Sequence, residues 1–139
     1  MASCPFCAVV DGSQPAALVL DDAVVVAFLD HRPVFKGHVL VVPKGHVETL
    51  ADLPVDAVGH FFERVQRIAV AVQEGLSADG SFVAMNNVVS QSVPHLHVHV
   101  VPRRRKDGLR GFFWPRTRYE DEAEAERARD ALRAALDNV

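Results

Sequence analysis

The sequence predicts an α+β fold, an antiparallel sheet with one long amphipathic helix and a C-terminal helix. Three observations carry this. Ala17 to Val42 holds short runs of β-branched and apolar residues separated by turn formers. Pro54 to Leu76 repeats its apolar residues at helical spacing. Pro94 to Pro102 alternates histidine with apolar residues, the two-residue period of a strand. Strands that follow a helix as well as precede it point to a mixed α+β sheet.

In the first region, Ala17 to Leu20, Val24 to Leu29 and His38 to Val42 read as three strands of a meander. Asp21-Asp22, Arg32-Pro33 and Gly37 supply the breaks. The long helix gathers Val58, Phe61, Phe62, Val65, Ile68, Ala69, Val72 and Leu76 on one stripe, with Pro54 in its first turn. Ser77-Ala78-Asp79-Gly80 ends it, Phe82 to Met85 is a further strand, and the histidine strand follows Asn86 to Pro94. The tail from Tyr119 to Val139 predicts a helix docked by a narrow stripe of Ala125, Ala128, Leu132, Ala135 and Leu136. Before it, Gly111-Phe112-Phe113-Trp114-Pro115-Arg116 reads as an aromatic loop packed over the core.

A chain of 139 residues with 49% hydrophobic content suits one domain over residues 1–139. Residues 103–139 form its C-terminal extension, a loop and helix packed on the rest. No apolar run approaches the roughly twenty residues of a membrane span, and the N-terminus lacks the regions of a signal peptide. A cytoplasmic protein is expected. The net charge of -3, from 15 basic and 18 acidic residues, gives no general attraction to nucleic acid or anionic lipid. The basic cluster Arg103-Arg104-Arg105-Lys106 reads as a solvated turn.

Extended backbone places His95, His97 and His99 on one face and turns Leu96, Val98 and Val100 inward. Imidazole is a nucleophile, an acid, a base and a metal ligand near neutral pH. A tris-histidine metal centre is one use of the three. It is strained by geometry, because alternate residues of a strand stand about 6.5 Å or more apart. Cys4 and Cys7, the only cysteines, make a C-x-x-C pair that is either a redox disulfide or half of a zinc site. A redox motif of this kind follows a strand and opens a helix, whereas this pair stands at the N-terminus, which favours metal. The seven histidines can complete a tetrahedral site, and His46 lies just beyond a strand end where it can face the N-terminal segment.

Gln91-Ser92-Val93-Pro94-His95-Leu96-His97-Val98-His99-Val100-Val101 resembles the signature of the histidine triad family. Cys4-Pro5-Phe6-Cys7, Ala27-Phe28-Leu29-Asp30 and Lys36 to His46 are similar to further blocks of that family, in the usual order. The resemblance covers most of Cys4 to Pro102 and fades in the C-terminal quarter. It implies a nucleotide-binding α+β homodimer that cleaves purine nucleotide conjugates, phosphoramidates or dinucleoside polyphosphates, at the α-phosphate. By position His97 is the nucleophile, forming a nucleotidyl-histidine intermediate that water then hydrolyses. His99, Gln91 and Ser92 match the groups that meet phosphoryl charge, and Asn86 the asparagine before the phosphate loop. Asp30 would accept the ribose hydroxyls, and Phe6, Val9 and Phe28 would form the slot for the base.

Branches of the family with an N-terminal cysteine pair hold structural zinc, which by carry-over makes Cys4, Cys7, His46 and His95 the ligands. The resemblance leaves His31, His38 and His60 as ordinary surface or hydrogen-bonded residues, and it does not bring Trp114 to the site. Asn86 to Gln91 is shorter than the family loop and lacks its glycines, so a different backbone path is expected there. A nucleotide-binding module without chemistry is the alternative that this loop favours.

Overall fold

The computed structural model describes residues 3–109 and 116–139. Contacts divide the chain into two compact units, Met1–Asp107 and Gly108–Val139. The first contains helix α1 (Pro5–Val10), strands β1 (Leu18–Asp21), β2 (Val25–Leu29) and β3 (Val39–Pro43), a 3-10 turn (Leu50–Asp52), helix α2 (Val55–Gly75), and strands β4 (Gly80–Ala84) and β5 (Val98–Arg103). Its sheet has the order β1-β2-β3-β5-β4 with every neighbouring pair antiparallel. The α+β fold read from the sequence is the one observed.

Helix α2 turns Phe61, Val65, Ile68 and Val72 into the protein, a spacing of three or four that keeps them on one face. They meet Val25, Ala27, Val39, Val41, Val98 and Val100 from the sheet. The other face of the same strands carries Val26, Phe28, Leu40 and Val42 against Val9 and Phe6. Strands β2 and β3 are thus covered on both sides, which explains why they read as unbroken apolar runs without polar alternation. Phe61 is fully buried, and truncation to alanine there costs about 3–5 kcal/mol. Leu40 lies opposite both Phe28 and His99, so the third histidine shares the face covered by α1.

Asp22 ties the β1–β2 turn to α2. Its carboxylate accepts from the Val24 and Val25 amides at 2.8 and 2.9 Å and from Arg64 Nε at 3.0 Å. These donors, the Val25 amide first, hold the carboxyl down at about 2.

Two elements differ from the expectation. The N-terminal segment, read without secondary structure, is helical: Cys4 caps α1 through its sulfur, which accepts from the Cys7 amide at 3.2 Å, and Pro5 opens the first turn. The histidine strand begins only at Val98, not at Pro94. The His95 amide donates to the Val93 carbonyl at 2.8 Å and the Leu96 amide to the Val47 carbonyl at 2.7 Å, so the chain before Val98 is spent on local and loop contacts that a β3 ladder would otherwise take.

After β5, Arg103 pairs with Asp107 at 2.6 Å and an Arg104 Nη donates to the Leu76 carbonyl at 2.6 Å, closing the basic turn. The second unit holds helix α3 (Glu122–Leu136). Asp121 caps it by accepting from the Glu124 amide at 2.8 Å, and Glu122 and Glu124 complement its N-terminal dipole. The predicted aromatic loop, Trp114 included, lies outside the described residues except for Arg116. Among the described residues no helix is long and apolar enough to cross a membrane.

Candidate functional site

Helix α1 brings the cysteine pair to the loop that follows β3 and to the segment that leads into β5. Cys4 Sγ stands 3.3 Å from His95 Nδ1, and Cys7 Sγ stands 3.2 Å from His46 Nδ1 and 3.5 Å from His95 Nδ1. The two histidine Nδ1 atoms are 3.2 Å apart. A tetrahedral zinc ion bound at its usual bond lengths spaces sulfur and nitrogen ligands by about 3.5 Å and two nitrogens by about 3.3 Å. The four donors fit that figure. His95 Nε2 donates to the Pro43 carbonyl at 3.0 Å, and since a carbonyl only accepts, the neutral ring keeps its lone pair on Nδ1, toward the sulfurs.

Burial, followed by the neighbouring Cys4 sulfur, pushes the Cys7 thiol up to about 11. A reactive redox thiol is shifted the other way. The pair opens a helix, as a redox motif does, but among the described residues no strand precedes it.

The three triad histidines separate by role. His95 joins the cysteines, while His99 joins Asp30 and His38 in a second cluster. His97 belongs to neither, so the geometry does not gather the three imidazoles around one ion. His97 Nδ1 donates to the His95 carbonyl at 2.8 Å, which leaves the lone pair of the neutral ring on Nε2. The ring is buried, 3% exposed, yet it touches the edge of Phe6 and the ring of His99 with centroids 5.0 and 5.1 Å away.

His38, expected to be ordinary, is a buried partner of the triad. Its Nδ1 accepts from the Val34 amide at 3.1 Å, so the neutral ring carries its proton on Nε2 and donates it to His99 Nδ1 at 2.9 Å. His99 in turn keeps its own proton on Nε2. Burial, followed by the charges of His97 and His38, holds His99 down to about 4, and burial also lowers His38. The available signal was strand parity, because His38, Leu40 and Val42 alternate with the core residues Val39 and Val41 and so share the face of His99.

Phe6, which meets the His97 ring, also lines a cavity of about 540 Å³ together with Val9, Gln14, Phe28 and Asp30 among others. Phe6 and Phe28 meet edge to face at 5.5 Å. Asp30 Oδ1 accepts from the Arg32 amide at 2.9 Å, and Oδ2 stands 3.8 Å from His38 Nδ1. The apolar and acidic residues predicted for a nucleoside therefore do come together.

The loop before the triad spends its polar side chains on itself and on the segment that follows β3. Gln91 donates to the Glu48 carbonyl at 2.6 Å and accepts from the Val88 amide at 3.0 Å. Asn86 donates to the Ser90 carbonyl at 3.1 Å, and Asn87 accepts from the Leu50 amide at 2.8 Å. Val88 and Ser90 adopt φ of 70° and 61°, the left-handed region that glycine enters without strain. Ser92 is exposed.

A family model described as the HIT domain matches residues 11–106, more than half of the chain. The chain belongs to this family. An uncharacterized HIT-like protein of Methanocaldococcus jannaschii is 42% identical over 107 residues, covering 76% of this chain and 82% of its own. An adenosine 5'-monophosphoramidase of Schizosaccharomyces pombe is 31% identical over 115 residues, 81% of this chain and 84% of the relative. Among solved structures, a Zn-bound histidine triad family protein from Mycobacterium smegmatis is 42% identical with a TM-score of 0.73, and the match covers 98% of this chain and 96% of that one. The HIT domain match takes in His46 and all three triad histidines but starts after the cysteine pair.

Proposed function

We propose that this HIT protein hydrolyses purine nucleotide conjugates at the α-phosphate, with His97 as nucleophile. The observation that carries the reading is the 2.8 Å hydrogen bond from His97 Nδ1 to the His95 carbonyl, which commits the lone pair to Nε2 of a ring that meets Phe6, a wall of a cavity of nucleoside size. In the first step Nε2 attacks phosphorus, a P–N bond forms, and the bond to the leaving amine or phosphate breaks as the leaving group takes a proton. In the second, water attacks phosphorus, the P–Nε2 bond breaks, and the nucleoside monophosphate departs. His99 Nε2–H, held in that tautomer by His38, is the donor for charge that develops on the phosphoryl oxygens. Asp30 accepts from the ribose hydroxyls, while Phe6, Val9 and Phe28 enclose the base. Ser92 faces solvent ahead of the triad, where it can donate to the phosphate. Asn86 and Gln91 shape the loop that borders the phosphate. The monophosphoramidase activity named for the fission yeast relative supports this substrate class.

Cys4, Cys7, His46 and His95 are the ligands for structural zinc. These four donors would hold a bound zinc without leaving a position for a catalytic water, and through it they would tie α1, the loop after β3 and the triad together. A site built on two thiols suits a reducing, cytoplasmic compartment. A homodimer follows the family habit, and the outer edge of β4, which among the described residues pairs with no strand, is the surface a second copy would meet.

The decisive experiment offers adenosine and guanosine conjugates to the purified protein and detects released monophosphate by chromatography. Release by the wild type and none by His97→Ala is the expected result; equal release by both removes His97 from the mechanism. The glycine-free loop, with its Gln91 amide already engaged, favours a second reading as a nucleotide-binding module. Binding of the monophosphate without turnover of any conjugate would select it.

A further inference from the structure

We propose that Phe6 is a positioning residue for His97, so that filling the base pocket and orienting the nucleophile are one event. The proposal rests on the reading of His97 as nucleophile. Three edge contacts converge on the Phe6 ring: His97 at 5.0 Å and 75°, Phe28 at 5.5 Å and 65°, and His95 at 6.1 Å and 76°. One hydrogen bond fixes the tautomer of His97, and the rings of Phe6 and His99, with centroids 5.0 and 5.1 Å away, fix its orientation about that bond. Of the two, only Phe6 lines the cavity. Phe6 itself is held on both sides, because Cys4 and Cys7 flank it in α1 and converge on His95 and His46.

The same ring lines the 540 Å³ cavity with Val9 and Phe28, where a base would stack. A bound base presses on Phe6, and Phe6 presses on the imidazole. Binding energy from a part of the substrate remote from phosphorus is then expressed in kcat rather than in KM alone.

The test compares adenosine 5'-phosphoramidate with ribose 5-phosphoramidate, which has no base, on zinc-loaded full-length wild type, Phe6→Leu and Phe6→Tyr. The proposal expects wild-type kcat to be roughly tenfold or more lower on the base-free substrate, and Phe6→Leu to lower kcat on the adenosine substrate by a similar factor, since a small misplacement of a reacting group is costly. Phe6→Tyr should restore it. If Phe6→Leu raises KM for the adenosine substrate and leaves its kcat at the wild-type value, Phe6 is only a pocket wall and the proposal fails. Zinc content and melting temperature report folding; should the leucine variant not fold, Phe6→Met keeps the volume without the aromatic edge and must show the same kcat loss. Histidine 15N spectra read the assignment without turnover. Adenosine monophosphate should sharpen the His97 resonances of the wild type and not those of Phe6→Leu, and equal sharpening overturns it. Wild type inactive on both substrates would instead sink the nucleophile reading itself.

Discussion

His97 Nδ1 donates to the carbonyl of His95, and His95 points its own Nδ1 at Cys4 and Cys7. One residue therefore joins the cysteine cluster with its side chain and holds His97 with its backbone. The cysteine cluster and His97 are adjoining parts of one structure.

Replacing His97 by alanine should lower turnover by roughly a thousandfold or more, as loss of a covalent nucleophile does. Binding of adenosine monophosphate, measured by calorimetry, should stay within a few-fold of wild type because the cavity residues are untouched. Trapping with a slowly hydrolysed conjugate should show a 31P signal for a phosphoramidate adduct on the wild type alone.

Metal analysis of protein prepared without added zinc should find about one zinc per chain, and Cys7→Ala should lose it. Full zinc in that variant would refute the ligand set. Loss of the crosslink should also lower the melting temperature, since α1 is then held chiefly by Phe6 and Val9.

Burial holds His99 down to about 4, below the ordinary value of about 6.5 that it regains on unfolding. Between those values the unfolded chain binds the extra proton, so this contribution to stability is complete above about pH 6.5 and is lost as pH falls toward 4. Urea midpoints across that range should drop with pH in the wild type and drop less in His99→Phe. An NMR titration showing His99 protonated at pH 6 would contradict the burial argument.

Val88 occupies the left-handed region with a β-branched side chain that is 76% exposed and loses nothing by removal. Relief of that strain, about 1–2 kcal/mol, outweighs the extra unfolded-chain entropy of glycine, about 0.4–1 kcal/mol. Val88→Gly should therefore raise stability by about 0.5–1 kcal/mol in denaturant unfolding. A fall of that size would mean the loop is not strained there.

Much of the fold was legible because the α2 stripe and the β2 and β3 runs each obey one period. The start of β5 was not. Alternation of His95 to His99 has the period of a strand, but the amide hydrogen bonds of His95 and Leu96 go to Val93 and Val47, and no sequence pattern states where a backbone donor is spent. Helix α1 escaped for a related reason: six residues carry too short a period to read, and the cap that starts the helix is a cysteine sulfur rather than a hydroxyl or carboxylate.

By itself the sequence determined the α+β class, the spacing of the α2 core residues, and the family. These depend on residue type at short fixed spacings, which a chain displays openly. Only the tertiary structure decided that His38 orients His99, that Phe6 lies against His97, and that the Gln91 amide is consumed by the Glu48 carbonyl. Those relations join residues 61, 91 and 43 positions apart. They arise from strand register, loop path and helix docking, in which packing of the whole unit selects one arrangement among many that the local sequence allows.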